Sequence, residues 1–160
     1  MLNPIPSEVD VAVIGAGSAG LPAFRAAREH TDRVILIERG PHGTTCARVG
    51  CMPSKLLIAA AEAAHGMEIA PGFGIHPGSI SIDGEAVMER VRRERDRFVG
   101  FVLDGVDRID PEQKISGQAR FVEDSRLEIG NSQVRAGRVV IASGTSPAIP
   151  DFLEEVRDRV

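Results

Sequence analysis

Cys46 and Cys51 are the residues of this chain best suited to do chemistry. They stand in the run Gly43-Thr44-Thr45-Cys46-Ala47-Arg48-Val49-Gly50-Cys51-Met52-Pro53-Ser54-Lys55. Two thiols can exchange electrons, hold a soft metal ion, or lie buried and inert. The C-x4-C spacing is wider than the usual zinc pair, no second cysteine pair occurs, and His30, His42, His65 and His76 are scattered. Bonding between the sulfurs sets a geometric condition. In an ideal helix, residues five apart have Cα atoms roughly 8.6 Å apart, whereas a disulfide needs less than about 7 Å. A regular helix through both is therefore incompatible with a bond. Gly50 offers a flexible joint beside Cys51, and Pro53 suits a first turn, so a helix can begin irregularly across the pair. A helix N-terminus there would also lower a thiol's pKa. The spacing alone leaves redox, metal and inert readings open.

A second constellation precedes it. Gly15-Ala16-Gly17-Ser18-Ala19-Gly20 is a GxGxxG between an apolar run, Val11 to Ile14, and a helical pattern, Ser18 to Glu29. Gly15 permits the tight turn, Gly17 lets a pyrophosphate approach the backbone, and Gly20 lets helix and strand pack closely. The helix start offers unpaired N–H groups to phosphate. Glu38 ends a second apolar run, Arg33 to Glu38, at the roughly 20-residue spacing expected of an acid that takes a ribose hydroxyl. Dinucleotide binding follows; the fingerprint does not separate FAD from NAD.

The elements that must position these groups open β–turn–α–β, with a parallel pair and a right-handed crossover. Pro22 is tolerable in the helix because it falls in the first turn. Arg39 to Gly50 reads as a Gly-rich loop, Met52 to Ala64 as a helix and Pro71 to Ser79 as a loop. Asp83 to Val106 reads as a long helix. Val87, Val91, Phe98 and Val102 mark its inner face, Glu89 can pair with Arg93, and Arg90 to Arg97 form a solvated face. Ile115 to Val122, Arg126 to Ile129 and Ser132 to Arg135 alternate like a small antiparallel meander. Arg138 to Ser143 returns to a buried strand ending at Gly144, with Pro147 and Pro150 beyond. The class is α/β: a Rossmann-like domain with a parallel sheet plus a small antiparallel β-meander.

Composition bounds the function. A chain of 160 residues suits one domain with a real core. Its net charge of -4 and lack of Trp and Tyr argue against nucleic-acid partners. Phe98 and Phe101 are expected in the core. No apolar run approaches the ~20 residues that span a bilayer, and Met1 to Asp10 lacks the cationic start of a secretory signal. A cytoplasmic setting is the default expectation, and metal binding is not expected.

The run GTTCARVGCMPSK resembles the redox-active motif of the class I pyridine nucleotide-disulfide oxidoreductases: dihydrolipoamide dehydrogenase, mercuric reductase, glutathione reductase and relatives. The resemblance extends to GAGSAG, to Glu38, and to RVVIASGTSPAIP near the end. It departs where Thr44 stands for a second glycine and Ser143 for a threonine. Pro53-Ser54-Lys55 is closer to the lipoamide and mercuric branches than to glutathione reductases. The resemblance implies FAD as cofactor and a redox-active Cys46–Cys51 disulfide. Cys51 would face the flavin, Cys46 would attack the substrate disulfide, and Lys55 would sit near the flavin N5. Gly15, Ala16, Gly17, Ser18, Ala19 and Gly20 would hold the pyrophosphate and Glu38 the ribose, with Arg39 beside it. Gly43, Thr44, Thr45 and Gly50 would lie along the cofactor. Gly117-Gln118-Ala119 would bring the Ala119 backbone to the adenine, and Ser143 and Gly144 would line the flavin.

The first expectation is thus the FAD-binding part of a dihydrolipoamide dehydrogenase, working with lipoamide and NAD and homodimeric when complete. Residues 1–150 would form the FAD domain, and 151–160 would begin the connection to absent NAD-binding and interface domains. NAD(P) would bind only through those domains, since no second GxGxxG occurs. The fragment alone would be inactive and would expose an apolar interface. The alternatives are a mercuric or other disulfide reductase, a non-catalytic nucleotide-binding or redox-sensing fragment, and an NAD-binding domain.

Overall fold

The computed structural model describes residues 5–146 and 148–159. Met1 to Pro4, Pro147 and Val160 lie outside the described residues, so the reading of Pro147 as following the last strand, and the outer ends of the two terminal segments, lie there too. In chain order the elements are β1 (Glu8–Ile14), α1 (Gly20–Arg28), β2 (Val34–Glu38), α2 (Thr45–Arg48), α3 (Cys51–Ile69), α4 (Gly84–Asp107), β3 (Lys114–Ser116), β4 (Ala119–Glu123), β5 (Arg126–Ile129) and β6 (Ser132–Ile141). Short 3-10 segments cover Ala70–Phe73 and Asp151–Arg159.

One mixed sheet runs in the order β3-β2-β1-β6-β5-β4. β1 lies parallel to β2 and to β6, and β2 parallel to β3. β4, β5 and β6 pair antiparallel. The opening βαβ unit therefore forms as its pattern predicts. β2 explains why its sequence is continuously apolar: successive side chains point to opposite faces, and both faces are covered. Val34 and Leu36 enter a cluster with Val13, Leu21, Phe24 and Val106, under α1 and α4. Ile35 and Ile37 enter the other cluster, with Ile115, Leu127, Ile129 and Val134. The second face is thus closed by the β-meander rather than by a helix.

The meander differs from expectation in two ways. Ile115 to Val122 is not one strand: it divides at Gly117-Gln118 into β3 and β4, which occupy opposite edges of the sheet. β3 is captured by β2, where Ile115 is buried. Conversely, Ser132 to Arg135 and the following strand are continuous as β6, which stops at Ile141, short of Ser143. Gly137 allows this, because a Cβ there would lie 3.0 Å from the Asp10 carbonyl oxygen of β1.

The helices also refine the pattern. Gly50 breaks the chain between α2 and α3 with φ -117° and ψ -106°, so the two cysteines sit on separate helices. The stretch 39–50 is therefore partly helical, and α3 continues to Ile69. In α4, Val91 and Val106 are buried but Phe98 and Phe101 are exposed. The inner position is one residue further on, where Val99 meets the Gly43 turn. The two phenylalanine rings instead meet edge to face at 6.4 Å, with Arg97 over Phe101. Arg93 pairs with Glu94 (3.6 Å) rather than with Glu89. Residues 151–159 coil into 3-10 turns broken at Val156. No residue of α3 is buried, and Leu57, Ile58 and Met67 are exposed along it.

The closest packing lies at the first turn. A Cβ on Gly20 would overlap the Gly15 carbonyl and touch Ala142 Cβ at 3.4 Å. Gly20→Ala should destabilise the domain by about 1–3 kcal/mol, measured as a lower urea midpoint. A midpoint equal to that of the parent would contradict this packing.

Candidate functional site

The C-terminal ends of β1, β2 and β6 open onto two adjoining cavities. The smaller, of about 220 Å³, is lined by Ile14, Gly15, Ile37, Glu38, Arg39, Gly117, Gln118, Ala119 and Ser143. The larger, of about 620 Å³, lies between the glycine turn, from Ala16 to Ala19, and the segment before α3, through Thr44, Thr45 and Arg48. Glu38 and Ser143 line both. This is the crevice beyond the strand ends where parallel α/β sheets bind ligands. Together the two cavities form an extended crevice that runs from Ala119 past Glu38 to the glycine turn, a shape and lining compatible with a dinucleotide.

Gly15 holds φ +102°, and a Cβ there would overlap the Ala142 carbonyl, so only glycine makes this turn. The turn is pinned to β2 by a side chain. Ala16 N–H donates to Glu38 Oε2 at 2.7 Å, and Gly40 N–H donates to Oε1 at 2.8 Å. Burial pushes the Glu38 pKa up. The amides of Ala16, Gly40 and Arg39, with the His42 ring, outweigh burial and hold it below its ordinary value.

Thr44 keeps the backbone that a glycine would adopt, with φ +60° and ψ +147°. A β-branched residue there is strained. Its side chain gives something in return: Oγ1 accepts from Ala47 N–H at 3.1 Å and caps α2. Gly43, also at positive φ (+108°), is buried against Arg48 and Val99.

The two cysteines are free thiols, Cys46 half-buried and Cys51 exposed as the first residue of α3. The break at Gly50 folds the chain back on itself: a Cβ at position 50 would lie 3.2 Å from the Thr45 carbonyl oxygen and 3.6 Å from Cys46 Cα. The side chains consequently interact. Hydrogen bonding with the Cys51 side chain, then burial, then the Cys51 charge raise the Cys46 pKa, against the Cys51 amide and the Lys55 charge. Among the described residues, no group of three or more His, Cys, Asp or Glu could hold a metal ion.

The structure brings together in the cavities Gly15, Ala16, Gly17, Ser18, Ala19, Glu38, Arg39, Thr44, Thr45, Ala119, Ser143 and Gly144. Gly20 and Gly43 act by packing behind them. Cys46, Gly50, Cys51 and Lys55 do not line either cavity; they lie along the α2–α3 break beside it, where the Lys55 charge reaches Cys46. Arg48, Gly40, Pro41 and Thr145 line the larger cavity and were not singled out from sequence. For Arg48 the usable signal was a lone cation inside a run of small residues that follows a dinucleotide fingerprint.

The Glu38 carboxylate generates a pH dependence. Its folded pKa is lowered, so its stabilisation is complete above the unfolded value of about 4.3 and is lost as pH falls through the folded value. Glu38→Gln should remove that part. The stability gap between parent and variant, from urea melts between about pH 7 and pH 3, should close on acidification. A gap constant with pH would contradict the assignment.

Comparison with known proteins agrees with this geometry. The family model "Pyridine nucleotide-disulphide oxidoreductase" matches residues 9–159. A mercuric reductase of Streptomyces lividans is 36% identical over 159 residues, covering 92% of this chain and 33% of that protein. A mercuric reductase of Serratia marcescens is 37% identical, covering 89% of this chain and 32% of its own length. A glutathione reductase of Burkholderia cepacia is 32% identical, covering 89% and 32%. The chain thus spans about a third of the length of these relatives, and they are mercuric and glutathione reductases rather than dihydrolipoamide dehydrogenases. The HOCl-induced flavoprotein disulfide reductase RclA from Escherichia coli, in its Cu(II) complex, shares the fold. Its TM-score is 0.65 at 22% identity, over 91% of this chain and 31% of that one. The chain belongs to the pyridine nucleotide-disulphide oxidoreductase family, whose cofactor is FAD.

Proposed function

We propose that this chain is the FAD-binding, dithiol-bearing part of a reductase that draws electrons from a nicotinamide nucleotide and delivers them through Cys46 and Cys51. The observation that carries the reading is the fold-back at Gly50, which turns the chain so that the Cys46 and Cys51 side chains interact beside the crevice of the glycine turn. FAD, when bound, supplies a two-electron relay between the nicotinamide and the sulfurs. The glycine turn, Glu38 and Ala119 hold and orient it. In the oxidised form the two cysteines share a disulfide; two electrons and two protons open it to the dithiol.

Cys46 then acts on the substrate. Hydrogen bonding with Cys51 and burial raise its pKa, and the Lys55 charge opposes them. Attack by the thiolate calls for a proton acceptor, which we assign to a further domain or a second subunit. The exposed apolar side of α3 supports such a neighbour. We read residues 1–150 as the FAD-binding unit and 151–160 as the start of the connection.

For the substrate, we favour a thiol-seeking ion or disulfide of the mercuric-reductase kind over lipoamide, on the strength of the mercuric reductases among the relatives. Lipoamide is the second reading, since Pro53-Ser54-Lys55 resembles both branches. The full-length protein, given NADH or NADPH, should consume it with mercuric ion in the presence of thiols, and faster than with lipoamide or glutathione disulfide. Cys46→Ser and Cys51→Ser should each lower turnover at least about 100-fold while leaving the flavin bound. Turnover retained in both variants would end the redox assignment. A yellow protein inert towards every substrate would favour the sensor reading.

A further inference from the structure

We propose that Arg48 is a ligand for the diphosphate of the bound dinucleotide, an electrostatic contact additional to the glycine turn. This rests on the dinucleotide reading above. Arg48 is half-buried, on the last turn of α2, and lines the larger cavity opposite Ala16, Gly17, Ser18 and Ala19. Its stem is held: a Cβ on Gly43 would lie 3.0 Å from Arg48 Cδ and 3.3 Å from Cγ, and equally close, 3.0 Å, to Val99 on α4. Gly43 is therefore needed to leave room for the arginine. Among the described residues its guanidinium has no hydrogen-bond or ion-pair partner.

The charges in this cavity explain why a cation is required. A diphosphate entering here would meet Glu38, which lines the same cavity, in a chain of net charge -4. Both Glu38 oxygens are already occupied by the amides of Ala16 and Gly40, which fix the carboxylate in place. The turn itself offers only backbone N–H groups and small side chains. A planar guanidinium can offer two parallel donors to phosphate oxygens, which an ammonium cannot reproduce. Because Cys46 stands on the same four-residue helix, the contact would also fix the segment that carries the first thiol.

The test is calorimetric binding of FAD, ADP and riboflavin to the full-length apoprotein, with Arg48→Met and the polar Arg48→Gln beside the parent. Hydrogen bonds to charged groups contribute about 1.5–3 kcal/mol, so both variants should bind FAD and ADP roughly 10- to 100-fold more weakly. The loss should shrink at high salt. Riboflavin, which lacks a diphosphate, should bind all three proteins alike. If either folded variant binds FAD and ADP as tightly as the parent, or if riboflavin is lost in parallel, the proposal is overturned. The two readings fail separately. FAD bound without regard to residue 48 removes this contact and leaves the flavoprotein standing. ADP bound through Arg48 by a protein that ignores FAD keeps the diphosphate site and removes the flavoprotein.

Discussion

The site depends on one short hydrogen bond, from the Ala16 amide to the Glu38 carboxylate. It ties the turn after β1 to the end of β2, the two strand ends between which a dinucleotide has to lie. Gly15 and Gly20 make that turn possible by allowing backbone to meet backbone where any Cβ would collide. The ordinary role of such an acid is to accept from a ribose. Here the carboxylate also braces the turn, with one oxygen on the Ala16 amide and the other on the Gly40 amide.

The second organising feature is the discontinuity at Gly50. A single helix through both cysteines would have separated the sulfurs, and an open loop would have left them without fixed orientation. Two helices meeting at a glycine let the Cys46 and Cys51 side chains interact and place Lys55 one turn further along α3. The strained Thr44 is stabilised by capping the first of these helices. Strain, cap and break occur within eight residues of sequence, from Thr44 to Cys51, where the chemistry is. This is the expected place for a protein to hold unfavourable backbone angles.

Much of this was legible in the sequence because it is local. The glycine turn and the continuous apolar run of β2 each carry their signal within a few residues, and as backbone structure they form as read. Gly50 reads as a joint that lets a helix begin irregularly across the cysteines, and the break falls there. What escaped is what tertiary pairing decides. Nothing in Lys114–Ser116 says that it will be taken by β2, away from the meander it adjoins in sequence. Gly137 falls between the two segments read as separate strands, yet it lies within β6, where a Cβ would come 3.0 Å from the Asp10 carbonyl oxygen of β1. Phe98 fits the helical stripe but is displaced by Val99, because the loop that covers α4 arrives from a distant part of the chain. Arg48 was overlooked for the same reason: its importance comes from the cavity it faces.

The account stands or falls on whether the two thiols exchange electrons with a flavin held in this crevice. The most direct measurement is an anaerobic reductive titration of the FAD-loaded, full-length protein, followed by visible absorption. The flavin and a Cys46–Cys51 disulfide should together take up about four electrons per FAD, two for each couple. An uptake of about two electrons, identical in the parent and in Cys46→Ser, would show that the cysteines take no part.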